Sequence, residues 1–247
     1  MCIDTKVLLS AVLICSALFF PLGVSAGEFD RYKQIIDNFQ NYPMQERETA
    51  LTELEAMKTS DIEKKYLLGM LYFIQGIERM KQIARQQKTK PKIADVLKDS
   101  TVQRYLQNAE ANYDAVERTS PGYKYIYCKY GELYRYTFNK DGLKRVTNRV
   151  GNAVQNDRVL QCKAMLESAA AQFTRYGDRG LEMAKVIFEE AIKTWRPYPK
   201  YMLEPLGDIE QLQNNGKRAL YWWRRCVEEV EVSEIKQRCQ EKIKDPP

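Results

Sequence analysis

Histidine does not occur anywhere in this chain of 247 residues. Its absence excludes Ser-His-Asp and Cys-His catalytic systems, HExxH zinc sites and every other metal centre ligated by histidine. Glycine and proline are also sparse, at 12 and 9 residues, which argues against an all-β chain with many tight turns. The sequence has no Gly-rich phosphate loop, no GxSxG motif and no Asp-rich calcium loop. We therefore expect no catalytic residue, no metal and no cofactor.

The first 26 residues have the pattern of a secretory signal peptide. A hydrophobic stretch follows Lys6 and is broken at Pro21, and Val24-Ser25-Ala26 supplies the small residues that signal peptidase requires. An uncleaved membrane anchor is the alternative, although residues 7–24 are at the short end for spanning a bilayer. We expect a mature chain that begins at Gly27 and lies in a bacterial periplasm, with secretion or membrane anchoring as alternatives.

Four cysteines follow the signal, and their even number suggests disulfide bonds in an exported protein. A Cys226–Cys239 bond would join one helix to its successor, and a Cys128–Cys162 bond would do the same one hairpin earlier. No CxxC motif occurs, which argues against a zinc site built from cysteine alone. The alternative is that these are four small, buried, apolar side chains.

Beyond Gly27 the apolar residues recur at helical spacing, and runs with the alternation of a β-strand are missing. Turn-forming residues divide the chain into helices of roughly 12 to 25 residues, and short turns make consecutive helices antiparallel neighbours. The sequence therefore predicts an all-α fold, with a last helix from Ser233 to Lys244. The predicted breaks are at 120–122, 141–142, 177–178, 196–199 and 214–216.

Small and aromatic residues recur in these helices at a characteristic spacing. The fragments are Leu203-x2-Leu206-Gly207, Ala219-x3-Trp223-x2-Cys226, Leu68-Gly69-x2-Tyr72, Ala109-x3-Tyr113-x2-Val116, Tyr127-x2-Tyr130-Gly131-x2-Tyr134 and Ala184-x3-Phe188-x2-Ala191. In this respect the chain resembles the tetratricopeptide-repeat family, in which small residues mark close helix crossings and aromatic rings fill the space beside them. The resemblance implies a right-handed array of about five helical hairpins with a C-terminal capping helix, in a single domain over 27–247. It also implies a curved, non-enzymatic scaffold whose inner face holds a peptide or helix of another protein.

The net charge of +6 arises in one middle segment, because residues 119–175 carry ten basic and four acidic side chains. There the helix after Asp141 has Leu143, Val146 and Val150 on one face. The basic side chains that lie away from this face are Lys144, Arg145 and Arg149. Such a surface suits an acidic protein or an anionic lipid or glycan surface, and an exported protein rarely meets nucleic acid. The alternative is a solvated face that keeps the protein soluble.

Aromatic residues suggest a second contact surface. Six tyrosines occur within residues 123–136, and four of them share the helix face that we expect to pack inward. Tyr125 and Tyr136 are expected to point elsewhere, beside basic residues that include Arg135. Tyrosine and arginine are frequent anchors of protein interfaces. In the Trp222-Trp223 pair we expect one buried ring and one turned toward the following helix or solvent, and core packing is the alternative for both clusters.

Glu167 is the one catalytic alternative that the sequence suggests. Glu167-Ser168 and the later Gly180-Leu181-Glu182-Met183 resemble motifs of lysozyme-like transglycosylases, in which a glutamic acid protonates the glycosidic oxygen. The family's glutamine is missing, and we expect Glu167 to be solvated. The sequence therefore favours an exported, non-enzymatic scaffold or adaptor for protein–protein interaction in the bacterial cell envelope. The alternative is an envelope protein that binds a glycan, lipid or transported solute or assists an enzyme.

Overall fold

The protein is seen in a computed structural model that describes residues 27, 29–86, 93–120, 123 and 126–246. All regular elements among these residues are helical, so the predicted all-α fold is confirmed. The predicted signal peptide and Tyr125 lie outside the described residues. In the described part of the chain, no helix has both the length and the apolar character needed to cross a membrane.

The chain divides into two compact units, the first ending at Lys129 and the second beginning at Tyr130. The first unit contains α1 (Asp30–Asp37), α2 (Met44–Ala56), α3 (Ile62–Gln86), α4 (Ile93–Val96) and α5 (Ser100–Thr119), with a 3₁₀ turn at Phe39–Asn41. Helix α6 (Ile126–Thr137) contains the boundary. The second unit continues with α7 (Lys140–Asn152), α8 (Asp157–Phe173), α9 (Gly177–Thr194), a 3₁₀ turn at Lys200–Met202, α10 (Leu203–Leu212), α11 (Gly216–Glu229) and α12 (Ser233–Lys244).

Helix α3 is the centre of the first unit and packs along α5, with α1 and α2 also in contact with it. Asp99 caps the start of α5 by accepting hydrogen bonds from the backbone N–H groups of Thr101 and Val102, each at 3.0 Å. The two helices approach closely where Gly69 faces Tyr113, since a Cβ added at Gly69 would lie 2.6 Å from Cδ1 of the ring. The glycine of the Leu68-Gly69-x2-Tyr72 fragment therefore contacts the tyrosine of the Ala109-x3-Tyr113-x2-Val116 fragment.

In the second unit α9 packs against α7, α8 and α10, and α11 lies between α10 and α12. The break predicted at 141–142 falls earlier, because Phe138 has a φ of 52° and the Asn139 side chain accepts a hydrogen bond from Gly142 N at 2.9 Å. Gly142 is thus inside α7, where the ring of Tyr134 occupies the space that a side chain would fill. The contact between Gly142 and Tyr134 therefore outweighs the turn preference of Asp141-Gly142.

The last helix is attached by both charge and a covalent bond. Arg238 of α12 donates two hydrogen bonds to Glu204 of α10, at 2.8 and 2.6 Å, and Lys242 bonds both Glu204 and Asp208. The predicted Cys226–Cys239 disulfide joins α11 to α12. Cys128 and Cys162 are disulfide-bonded as well, as the even number of cysteines suggested. A single domain over 27–247 stays a prediction.

Burial by itself would raise the pKa of Glu204, but hydrogen bonds from Arg238 and Lys242 and the charges of both outweigh it and leave this pKa below its usual value. Because the folded state holds this proton less tightly than the unfolded chain, the contact stabilises the fold above the carboxyl's ordinary pKa of 4.5. That contribution is lost as the pH falls through the lowered pKa.

Replacing Glu204 by glutamine is expected to lower the free energy of unfolding by about 1–2 kcal/mol at neutral pH, since this buried carboxylate loses its charge-assisted hydrogen bonds with the exposed Arg238 and the partly buried Lys242. Urea titrations at pH 7 and pH 3 measure this, and the difference from wild type should shrink at the lower pH. The matched control is Glu231→Gln, which removes an exposed ion pair with Lys200 and should leave stability unchanged. A pH-independent difference would contradict the assigned role.

Gly207→Ala is expected to destabilise the second unit by about 1–3 kcal/mol, because overpacking forces a buried ring to move. The added Cβ would lie 2.5 Å from Cδ1 of Trp223, which is fully buried. Gly216→Ala is the control, since its Cβ would meet only the Gln211 side chain at 3.7 Å. Equal melting temperatures for the two variants would exclude a close crossing of α10 and α11 at Gly207.

Candidate functional site

The predicted basic surface lies on α7. Leu143, Val146 and Val150 are buried, as their spacing predicted, and Lys144 is exposed. Arg145 is also exposed, but it donates a hydrogen bond of 2.5 Å to the Tyr134 hydroxyl and lies 5.4 Å from the centre of that ring. Arg149 is partly buried. Lys144 is therefore exposed and ready to offer its charge to a partner, whereas Arg145 must first leave its contact with Tyr134.

Tyr136 does not point outward as we expected. It is 9% exposed, and the Arg135 guanidinium lies 5.2 Å from the centre of its ring. Burial raises the pKa of Tyr136, and the neighbouring charge of Arg135 opposes this only in part. Buried residues occupy more than one face of helix α6, because Leu133 and Tyr134 are buried as well as Tyr136. Arg135 therefore covers a buried ring.

Glu167 lies on α8, in a helix that turns Leu166, Ala170 and Phe173 into the core as expected. Its side chain is not freely solvated, because it accepts a short hydrogen bond from the hydroxyl of Tyr201. Tyr201 follows α9 in the chain and is about half exposed. Glu167 is thus held by a residue that the sequence did not associate with it.

Tyr201 belongs to a segment that we call the aromatic loop, residues 195–201, which connects α9 to α10. Its other rings are Trp195, which is fully buried, and Tyr198, which is partly buried. The indole N–H of Trp195 donates a hydrogen bond of 3.1 Å to the backbone oxygen of Thr147 in α7. The loop is therefore anchored at its first residue and presents Tyr198 and Tyr201 closer to the surface.

On one side the loop meets Lys163 of α8, whose ammonium nitrogen lies 5.2 Å from the centre of the Trp195 ring. Lys163 is 8% exposed, and in the part of the chain that the structure describes no hydrogen bond or ion pair satisfies it. Burial lowers the pKa of Lys163, and the charge of Glu167 opposes this shift. A largely buried lysine whose ammonium faces a ring and no bonded carboxylate is rare among structural lysines.

On the other side the loop meets Arg225 of α11. The guanidinium donates to the Tyr198 hydroxyl at 2.9 Å and to Glu229 at 2.6 Å. Its central carbon also lies 5.4 Å from the ring of Trp222 and 5.9 Å from that of Tyr221. We call Tyr198, Tyr221, Trp222 and Arg225 the arginine–aromatic cluster.

The outer member of this cluster is Tyr221, which is 53% exposed and packs edge-on against Trp222 at 4.9 Å between ring centres. Trp222 and Trp223 are both buried, so neither ring is turned toward solvent, and Trp222 faces the cluster. The indole N–H of Trp222 has no hydrogen-bond partner among the described residues. The exposed Tyr221 ring therefore packs against the side chains of Trp222 and Arg225.

Sequence reasoning missed Lys163, Tyr198 and Arg225. Tyr198 lay within the helix break predicted at 196–199, and Arg225 was not singled out. The available signal was the Trp222-Trp223 pair, which places a tryptophan and Arg225 three residues apart on one face of α11. Lys163 gave no signal, because a lysine on an amphipathic helix is ordinarily solvated.

Comparison of the chain with protein-family models, with curated proteins and with solved structures gave no match. Within the described ranges, no group of three acidic or cysteine side chains is arranged to hold a metal ion. The site must therefore be interpreted from its own geometry.

Arg225→Lys should lower the free energy of unfolding by about 1 kcal/mol, although the charge is retained. A lysine ammonium lacks the fixed, planar donors that join Tyr198 to Glu229 and lie against the rings. The neighbouring exposed Arg224→Lys is the control and should leave the denaturation midpoint unchanged. Two identical midpoints would mean that the guanidinium geometry contributes nothing to the cluster.

Proposed function

We propose that the chain is an exported, non-enzymatic scaffold that binds another protein of the bacterial cell envelope. The observation that carries the proposal is the arginine–aromatic cluster, in which the exposed Tyr221 ring is supported by Trp222 and Arg225. Tryptophan, tyrosine and arginine dominate the energetic centres of protein interfaces. A side chain that is already ordered loses less entropy when a partner binds.

The scaffold part of the proposal is a set of tetratricopeptide-like helical hairpins. Two contacts support it: Gly69 of α3 against Tyr113 of α5, and Gly207 of α10 against Trp223 of α11. Both join a small residue to an aromatic ring in a pair of antiparallel neighbours, at positions that the resemblance singled out. Hairpins of this kind display helix faces rather than catalytic residues, which agrees with a binding function.

The location in the envelope rests on the signal-like first 26 residues and on cysteine chemistry. All four cysteines outside that segment are disulfide-bonded, and disulfides persist in oxidising compartments. The exposed Lys144 on α7 adds a positive contact, which favours a partner with an acidic surface. We place the protein in the periplasm, with secretion or membrane anchoring as alternatives.

The test is capture of the tagged, full-length protein from its own cells after mild crosslinking, followed by mass spectrometry. We expect one dominant protein partner, and Tyr221→Ser should reduce its recovery about fivefold or more, since truncated interface anchors typically cost over 1 kcal/mol. Leu212→Ser is the matched control, because Leu212 is a large apolar residue that is at least as exposed as Tyr221 but lies outside the cluster. Lys144→Glu should also reduce recovery, and Arg118→Glu, on exposed α5 surface, should not.

Equal recovery with Tyr221→Ser and Leu212→Ser would contradict the assignment of the cluster as the contact surface. Recovery of glycan, lipid or a small solute without a protein partner would instead favour the ligand-binding alternative. Melting curves of each variant separate loss of binding from loss of folding.

A further inference from the structure

The aromatic loop has a second chemical feature, on the side away from Arg225. Lys163 is as buried as Lys81 of α3, but the two amines differ in their partners. Both ammonium nitrogens face a ring, that of Lys81 at 5.7 Å from the centre of Phe39 and that of Lys163 at 5.2 Å from the centre of Trp195, but Lys81 also lies 2.6 Å from the Glu78 carboxylate. Desolvation without a bonded anion favours the neutral amine, which is the nucleophilic form of lysine.

A carboxylate and a phenol joined by a hydrogen bond lie one helical turn from Lys163. Glu167 is one turn further along α8, so its side chain shares a helix face with Lys163. Tyr201 of the aromatic loop donates its hydroxyl proton to the same carboxylate. Burial, together with the hydrogen bond and charge of Glu167, raises the pKa of Tyr201 and keeps the phenol protonated. Nucleophile, carboxylate and phenol thus come from two elements that pack together.

We propose that Lys163 is a carbonyl-reactive amine that captures small aldehydes or ketones as a Schiff base, with Glu167 and Tyr201 moving the protons. The Nζ lone pair forms a bond to the carbonyl carbon, and the carbonyl π electrons move to oxygen, which takes a proton from Tyr201. The nitrogen gives up one proton to Glu167, which passes it to the new hydroxyl group. That group leaves as water while the nitrogen lone pair forms the C=N bond, and the resulting iminium returns its remaining N–H proton to the Tyr201 phenolate. One amine and one carbonyl compound yield one imine and one water, with no change of oxidation state.

This reaction requires neither a metal nor a cofactor, and it is independent of partner binding at Tyr221. Ordinary exposed lysines react slowly with carbonyl compounds at neutral pH, because they are almost entirely protonated. Lys163 should therefore stand out against the other lysines of the same chain. Lys144 is the exposed comparison, and Lys81 is the buried comparison with a carboxylate partner.

The experiment treats the oxidised, full-length protein at pH 7 with propanal and cyanoborohydride, which reduces the imine to a stable secondary amine. Peptide mass spectrometry then gives the labelling rate at each lysine. We expect Lys163 to react about tenfold or more faster than Lys144 and Lys81, as general acid–base assistance and a neutral amine allow. Labelling of Lys163 no faster than that of Lys144 would overturn the proposal.

Two variants test the proton path. Glu167→Gln and Tyr201→Phe should each slow labelling of Lys163 several-fold and leave the rate at Lys144 unchanged. Tyr72→Phe, which removes a hydroxyl that donates to Glu55 in the first unit, should leave both rates unchanged and serves as the matched control. If Lys163 is labelled equally fast in wild type, Glu167→Gln and Tyr201→Phe, the proposed role of Glu167 and Tyr201 is refuted. Melting curves report whether each variant is folded.

Discussion

Direct contact between an aromatic ring and a glycine sets the distance between neighbouring helices in both units. Tyr113 lies against Gly69, Tyr134 against Gly142 and Trp223 against Gly207. In each case the ring fills the volume that a side chain would need, so the backbones approach closely and the ring is removed from water. Trp195 repeats the arrangement against Gly151, which fixes the first residue of the aromatic loop. The position of the loop thus follows from helix packing.

Ion pairs stabilise the second unit in addition to its apolar contacts. Glu210 of α10 is fully buried, and its Oε1 lies 2.9 Å from both Lys185 and Arg218. These two contacts are ion pairs without hydrogen-bond geometry, and the side chain of Asn215 donates the hydrogen bond. The ion pairs and the hydrogen bond offset the cost of burying this carboxylate. Lys163, which is 8% exposed and faces a ring, differs from Glu210 in having no bonded partner of opposite charge among the described residues, and this suggests chemistry rather than structure.

The aromatic loop brings together the features that bear on function. Tyr198 reaches Arg225 on one side, and Trp195 and Tyr201 reach Lys163 and Glu167 on the other. Loops carried by rigid helices commonly position functional residues, because they are free of the backbone pattern that helices impose. Both proposals rest on side chains that this loop holds in place, although they concern different chemistry and different tests.

Hydrophobic spacing alone determined the all-α fold, the amphipathic α7 and the last helix, because helix periodicity is a local property of the chain. Cysteine number and separation likewise predicted the Cys226–Cys239 bond. Only tertiary structure decided that Tyr136 is buried, that Gly142 lies within a helix and that Glu167 meets Tyr201. Those outcomes depend on contacts between segments up to 34 residues apart, which no local pattern records. The functional candidates are of this second kind, since each consists of side chains that meet only after the helices pack.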